Sequence, residues 1–162
     1  SNERGTAYHR VMECLNYSKA GSTEDIKNEI DRMVREEKLS LKQAECIKLK
    51  DIDTFAGSSI GERIKRAYAY GGVKREQPFV FEYDRQLVQG VIDLYFIEVG
   101  QLVIVDYKTD RVLRGRAGED ELRRRYSIQL DYYAMALSQI TGLKVKEKVI
   151  YSFALGRSLT VE

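Results

Sequence analysis

The stretch Gly90-Val91-Ile92-Asp93-Leu94-Tyr95-Phe96-Ile97-Glu98-Val99-Gly100-Gln101-Leu102-Val103-Ile104-Val105-Asp106-Tyr107-Lys108 decides how this chain folds. β-Branched and aromatic residues fill both halves, and Val99-Gly100 divides them, which reads as two antiparallel strands joined by a tight turn. With a two-residue turn at Val99-Gly100, Asp93 stands directly opposite Asp106. A turn shifted by one residue makes them a diagonal pair, still within reach of a shared cation. Directly opposed residues hold their Cβ atoms about 4.5–5.5 Å apart. Two carboxylates that close repel, and each sits in an apolar run where an unpaired charge is costly. Lys108 lies two residues beyond Asp106, so it projects from the same face.

Such a group has a definite chemistry. Hard carboxylate ligands with water favour Mg²⁺ or Mn²⁺. Metal-bound water is a stronger nucleophile, and an adjacent ammonium can hold it, deprotonate it or neutralise charge on a phosphorane. These are the requirements of phosphodiester hydrolysis. The bland alternative is a solvent-facing pattern with Asp93 paired to a surface lysine. Asp-x-Lys alone is common, but its coupling to a second aspartate across a hairpin is more specific.

Working outward, Phe79 to Tyr83 reads as a first strand with Pro78 at its entrance and a tight turn at Asp84-Arg85. Leu87 to Glu98 and Leu102 to Lys108 complete a meander, and Leu-Val-Ile-Val at 102–105 suggests burial on both faces. Arg111 to Gly118 reads as a flexible loop. A helix over Asp120 to Thr141 carries Tyr126, Leu130, Tyr133, Leu137 and Ile140 as its apolar stripe. Gly142 stops it, and Val145 to Ala154 is a last strand.

The first half has helical spacing. Thr6 reads as an N-cap before Ala7, Val11 and Leu15, and Ser22 with Asp25 opens a second helix. Ser40 with Gln43 and Ser59 with Glu62 have capping-box spacing. Asp51 to Phe55 reads as a short turn, and Gly71-Gly72 as the end of the last helix. The expected fold class is α/β: a central mixed sheet with an antiparallel meander, flanked by helices, in one domain over residues 1–162.

The 162 residues suffice for a core, and 27 Lys and Arg against 25 Asp and Glu leave a net charge too small to identify a polyanionic partner. No apolar run approaches the ~20 residues of a membrane span. Cys14 and Cys46 form no C-x-x-C pair, so a structural zinc site or disulfide framework is not expected. Both read as buried apolar groups in a reduced, cytoplasmic protein. Ser1-Asn2 resembles a tag-removal scar, so the chain is expected to be cut from a larger protein.

Gly90-Val91-Ile92-Asp93 followed by Val105-Asp106-Tyr107-Lys108-Thr109 resembles the core of the PD-(D/E)XK nucleases, which have a restriction-endonuclease-like fold. Gly5-Thr6-Ala7-Tyr8-His9, Arg75-Glu76-Gln77-Pro78-Phe79 and Gln129-Leu130-Asp131-Tyr132-Tyr133 are similar to the Gly-Thr-x-x-His, Arg-Glu-x-Pro-Phe and Gln-x-x-x-Tyr segments of the RecB-like branch. The resemblance implies Mg²⁺, with Mn²⁺ as a substitute, held by His9, Asp93, Asp106 and the Tyr107 carbonyl. It implies Lys108 as the catalytic lysine, with Gln129 and Tyr133 facing the site from one helix. Glu76 is either an orienting carboxylate or the partner of a nearby arginine.

The iron–sulfur branch of these nucleases carries four cluster cysteines that have no counterparts here, so no iron–sulfur cluster is expected. Gly57-Ser58-Ser59-Ile60-Gly61-Glu62 lacks the lysine of a phosphate loop. The resemblance therefore places a helicase motor elsewhere, in the same parent chain, with an AddB-like partner protein. Arg111, Arg114, Arg116, Arg123, Arg124 and Arg125 follow the catalytic strand and suit nonspecific phosphate contact, with Tyr126 or Tyr8 stacking on bases of DNA, preferentially single-stranded. The competing functions are a catalytically idle docking module and a standalone exonuclease.

Overall fold

The computed structural model describes residues 2–162. The chain divides into two compact units, Ser1–Gly71 and Gly72–Glu162.

The first unit is helical: α1 (Glu3–Cys14), α2 (Thr23–Arg35), α3 (Leu41–Glu45), α4 (Leu49–Gly57) and α5 (Ser59–Ala69), with a 3₁₀ turn at Tyr17–Lys19. Ser22 caps α2 by accepting the Asp25 N–H, and Ser40 with Gln43 forms the expected reciprocal capping box. Three expectations need correction. Asn2 rather than Thr6 is the N-cap of α1, so Thr6 lies inside the helix. The segment read as a turn at Asp51–Phe55 belongs to α4, whose Ile52, Phe55 and Ala56 form a buried face at helical spacing. Ser58, not Ser59, caps α5 by accepting the Gly61 N–H.

Tyr8 is fully buried, and its hydroxyl donates to Asp51 Oδ2 at 2.5 Å, tying α1 to α4. A stacking role on bases is therefore excluded for Tyr8. Cys14 and Cys46 are both only partly buried, not core residues.

The second unit is a five-stranded mixed sheet in the order β1-β2-β3-β4-β5, with one long helix. The strands are β1 (Val73–Tyr83), β2 (Gln86–Glu98), β3 (Gln101–Lys108), β4 (Val145–Ser152) and β5 (Arg157–Val161), and α6 spans Arg116–Thr141. β1, β2 and β3 form the antiparallel meander; α6 is the crossover that lets β4 pair parallel to β3. Both meander turns hold two residues at positive φ: Asp84 and Arg85 at 50° and 65°, and Val99 and Gly100 at 50° and 75°. That backbone matches the twist of a two-residue hairpin. β1 begins at Val73, well before Phe79, so Pro78 lies within the strand; β1 is at the sheet edge, where a missing N–H is tolerated.

β5 is absent from the expectation, which carried β4 to Ala154. The chain instead turns at Gly156 and pairs β5 antiparallel to β4, burying Leu159 and Val161 in the core below α6. That core gathers Phe79, Ile92, Ile104, Ile150, Leu130 and Leu137. β3 is buried on both faces as expected: every residue from Leu102 to Tyr107 is at most 2% exposed. Among the described residues no helix is long and apolar enough to cross a membrane.

The start of α6 is pinned to the loop that leaves β3. A Cβ on Gly118 would lie 1.7 Å from the Leu113 carbonyl oxygen. Gly to Ala inside a helix ordinarily stabilises by about 1 kcal/mol. Here the sign should reverse: Gly118→Ala is expected to cost more than about 2 kcal/mol, because the backbone cannot accept the overlap. Urea denaturation measures it, and an unchanged or higher midpoint would show that the loop moves freely.

Candidate active site

The β2–β3 hairpin has the register expected from a Val99-Gly100 turn. Glu98 pairs with Gln101, and the pairing runs through Leu94 and Val105. There the strands part, one residue before Asp93 and Asp106. β3 continues along β4, while β2 continues along β1. Asp93 occupies the fork: its Oδ2 accepts the Tyr107 backbone N–H at 2.9 Å, in place of a strand partner. This fixes one carboxylate beside the other.

Asp106 is 2% exposed. Its Oδ2 is buried without a hydrogen bond of proper alignment, although Lys108 Nζ stands at ion-pair distance, 3.1 Å. Burial, and then the charge of Asp93, push the Asp106 carboxyl up to about 7, against the opposing pull of Lys108. A buried carboxylate oxygen without an aligned hydrogen bond, next to a second carboxylate, fits a divalent cation with a preference for oxygen. Among the described residues, no three His, Cys, Asp or Glu side chains are grouped as a complete metal site. The protein thus supplies a pair of carboxylates, to which water, main-chain oxygen or substrate oxygen would add.

α6 faces this pair. Lys108 Nζ donates to Gln129 Oε1 at 3.3 Å. Tyr133, four residues on, is buried against Phe79 with ring centroids 5.4 Å apart, so it is a core residue. It also faces the acids: burial, followed by the charges of Asp106, Asp93 and Glu76, raises its hydroxyl. Tyr107 points its ring away to stack on Phe153, and its contribution here is the N–H to Asp93.

Glu76 is brought in by register. β1 pairs Arg75 with Leu94 and Gln77 with Ile92, which sets Glu76 across from Asp93. Its backbone φ is +49°, inside a strand, where a non-glycine residue is strained. The Glu76 carboxylate is one of the charges that raise the Tyr133 hydroxyl. The signal was available: the tight turn at Asp84-Arg85 fixes the β1–β2 pairing.

His9 lies on α1, in the helical unit. Its Nδ1 is 2.9 Å from the Gly5 carbonyl, four residues back. A carbonyl can only accept, so that contact places the ring proton on Nδ1 and the lone pair on Nε2.

The arginines divide into two sets. Arg125 is paired with Asp110 and Glu121, Arg123 with Asp120 and the Thr160 carbonyl, and Arg116 stands 3.9 Å from Asp120. Arg111, Arg114 and Arg124 are exposed with no such pairing among the described residues. The Arg123-Arg124-Arg125 run is therefore not a uniform basic patch. Tyr126, read from sequence as an apolar or base-stacking ring, instead lies under the Lys108 ammonium, 4.0 Å from its centroid. Its hydroxyl donates to Asp110 Oδ2 at 2.6 Å. Asp110 was not singled out from sequence, because it follows the end of β3, where the two-residue alternation stops.

With this geometry in view, the likeness to known proteins is specific. Residues 1–159 match the PD-(D/E)XK nuclease superfamily. The chain is 40% identical, over 97% of its length, to the A subunit of the ATP-dependent helicase/nuclease of Thermoanaerobacter sp. (strain X514), and 36% identical, over 93%, to that of Clostridium novyi (strain NT). It spans 14% and 13% of the length of those relatives. A third, from Alkaliphilus oremlandii (strain OhILAs), is 39% identical over 93% of the chain and is spanned to 13%.

The raised Asp106 carboxyl has a consequence for the metal-free protein. Its folded-state value, about 7, lies above the ordinary 3.8 of an unfolded aspartate. Between those values the folded form binds the extra proton, so stability falls as pH rises through this window. Asp106→Asn should remove this fall and give a higher urea midpoint than the native chain at pH 8. Mg²⁺ should stabilise the native chain there and leave the variant nearly unchanged. Parallel stability profiles of the two proteins from pH 4 to 8 would contradict the assignment.

Proposed function

This chain belongs to the PD-(D/E)XK nuclease superfamily, and on that footing we propose that it is a divalent-metal-dependent deoxyribonuclease that hydrolyses phosphodiester bonds. The observation that carries the proposal is the buried, unsatisfied Asp106 Oδ2 beside Asp93, with the Lys108 ammonium 3.1 Å away. Two acids forced together in an apolar wedge are unfavourable alone and favourable around a cation.

Asp93 and Asp106 would hold Mg²⁺, with the Tyr107 carbonyl and His9 as the further ligands that the family resemblance implies. When bound, the ion supplies Lewis acidity and a water of lowered pKa. Lys108 neutralises charge that builds on the phosphoryl oxygens in the transition state. Gln129 holds the lysine through its amide oxygen. Tyr133 closes the apolar side of the wedge, with its hydroxyl in the field of Asp106, Asp93 and Glu76. Glu76, across from Asp93 on β1, would orient the site or pair with a nearby arginine.

The names of the relatives extend the reading. We infer a nuclease acting with a helicase motor in the same parent chain and an AddB-like partner, in the cytoplasm. Its substrate would be an unwound single strand, cut as an exonuclease during double-strand-break repair and recombination.

Digestion of single- and double-stranded DNA with Mg²⁺ or Mn²⁺ tests this. Asp93→Ala and Asp106→Ala should each abolish cleavage. Lys108→Ala should lower turnover by roughly 10²–10³, as for loss of one electrostatic stabiliser, while the Mg²⁺ titration stays near native. Metal-dependent cleavage surviving in both aspartate variants sinks the site.

Binding should follow the exposed arginines. Replacing Arg111, Arg114 and Arg124 together by Ala should flatten the slope of log K against log salt by about 2, since each single-strand phosphate contact contributes about 0.7. The Arg123→Ala, Arg125→Ala pair should change it less, because both are already engaged by acids. Equal slopes for the two variants would show that the ion pairs open on DNA.

A further inference from the structure

The Lys108 ammonium stands against Asp106, Gln129 and Tyr126. Asp106 Oδ2 lies at 3.1 Å, Gln129 Oε1 at 3.3 Å, and the Tyr126 ring centroid at 4.0 Å. Tyr126 and Gln129 are three residues apart on α6, so one helix face delivers both. The ring is itself held: its hydroxyl donates to Asp110 Oδ2 at 2.6 Å, and Arg125 donates to the same oxygen at 2.9 Å. Asp110 is two residues beyond Lys108 in the chain. The backbone that carries the lysine therefore also carries the acid that locks the ring above it.

We propose that Tyr126 is a positioning residue for Lys108, a wall held by Asp110 that keeps the ammonium over the carboxylate pair. This rests on the role given to Lys108 above. The physical reason lies in the side chain. Lysine has a long flexible stem and a point charge. Asp106 and Gln129 can attract the ammonium, but neither limits its approach from the open side. An aromatic face attracts a cation without accepting its proton and without taking a hydrogen-bond site from Asp106 or Gln129. It thus fixes where the charge stands and leaves its N–H groups for substrate oxygen. The carboxylate on the hydroxyl polarises the ring toward greater electron density, which strengthens the attraction. A base stacked on this face would have to displace Lys108, so the base-platform reading of Tyr126 conflicts with the lysine's placement.

The test has two readouts. In the wild-type protein, NMR of the lysine Cε methylene protons should show Lys108 shifted upfield by the ring. The shift should persist in Tyr126→Phe and vanish in Tyr126→Leu. In the Mg²⁺-dependent digestion of single-stranded DNA, Tyr126→Leu should lower kcat about tenfold, the scale of one partly desolvated cation–π contact. KM for DNA and the Mg²⁺ half-saturation should change less than about twofold. Tyr126→Phe should recover kcat to within about threefold, because the ring remains. Tyr126→Met serves in the same way if the Leu variant fails to fold by circular dichroism.

An unshifted Lys108 in the wild-type spectrum overturns the proposal. So does a native kcat in Tyr126→Leu or Tyr126→Met, or a loss that falls on KM, which would mark a DNA-stacking ring. A shifted Lys108 together with native turnover in Lys108→Ala overturns the role of the lysine itself; the contact then stands without a catalytic purpose.

Discussion

The repulsion between Asp93 and Asp106 is the constraint around which the second unit is arranged. Left to solvent, two carboxylates would separate; here the hairpin register holds them together, and the surrounding core buries Asp106. The fold accepts this through specific local support. The Tyr107 N–H satisfies one oxygen of Asp93, and the Lys108 ammonium stands against Asp106. The buried Asp106 Oδ2 still lacks a hydrogen bond, and the proposed cation would satisfy it.

That arrangement follows from where the sheet divides. Up to Leu94 and Val105, β2 and β3 are an ordinary antiparallel pair. Beyond them β3 turns to a parallel partner and β2 to the edge hairpin. A fork in a sheet leaves backbone groups to be satisfied by side chains, and Asp93 does this while serving the site. The crossover helix needed to bring β4 parallel to β3 is the element that supplies Gln129, Tyr133 and Tyr126. The connection that topology demands thus builds the wall opposite the acids.

Charge around the site is organised by pairing rather than by excess. Burial alone would raise the Asp110 carboxyl, but the Tyr126 and Arg125 hydrogen bonds hold it below the ordinary range. The same acid raises the Tyr126 hydroxyl to about 12, together with the larger effect of burial. Arg123 and Arg125 are spent on α6 and its neighbours, whereas Arg111 and Arg114 stay exposed on the loop after β3. A net charge near zero is therefore compatible with a local cationic edge next to the acids.

The amino-acid sequence by itself determined the placements that follow from the periodicity of strand, turn and helix. The two-residue alternation put Asp106 and Lys108 on one face, and the Val99-Gly100 turn put Asp93 beside Asp106. The three- and four-residue spacing of α6 put Gln129 and Tyr133 on one side. These are fixed by backbone geometry, so they can be read without knowing the fold. Contacts between distant segments could not be read in this way. Composition made Asp51–Phe55 look like a turn and left β5 unseen, since the partners that bury Ile52 and Leu159 are remote in the chain. Whether Arg125 faces phosphate or Asp110, and whether the Tyr126 ring faces a base or Lys108, was decided only when α6 packed across the sheet. Side chains of that length have several partners within reach, and only tertiary packing selects among them.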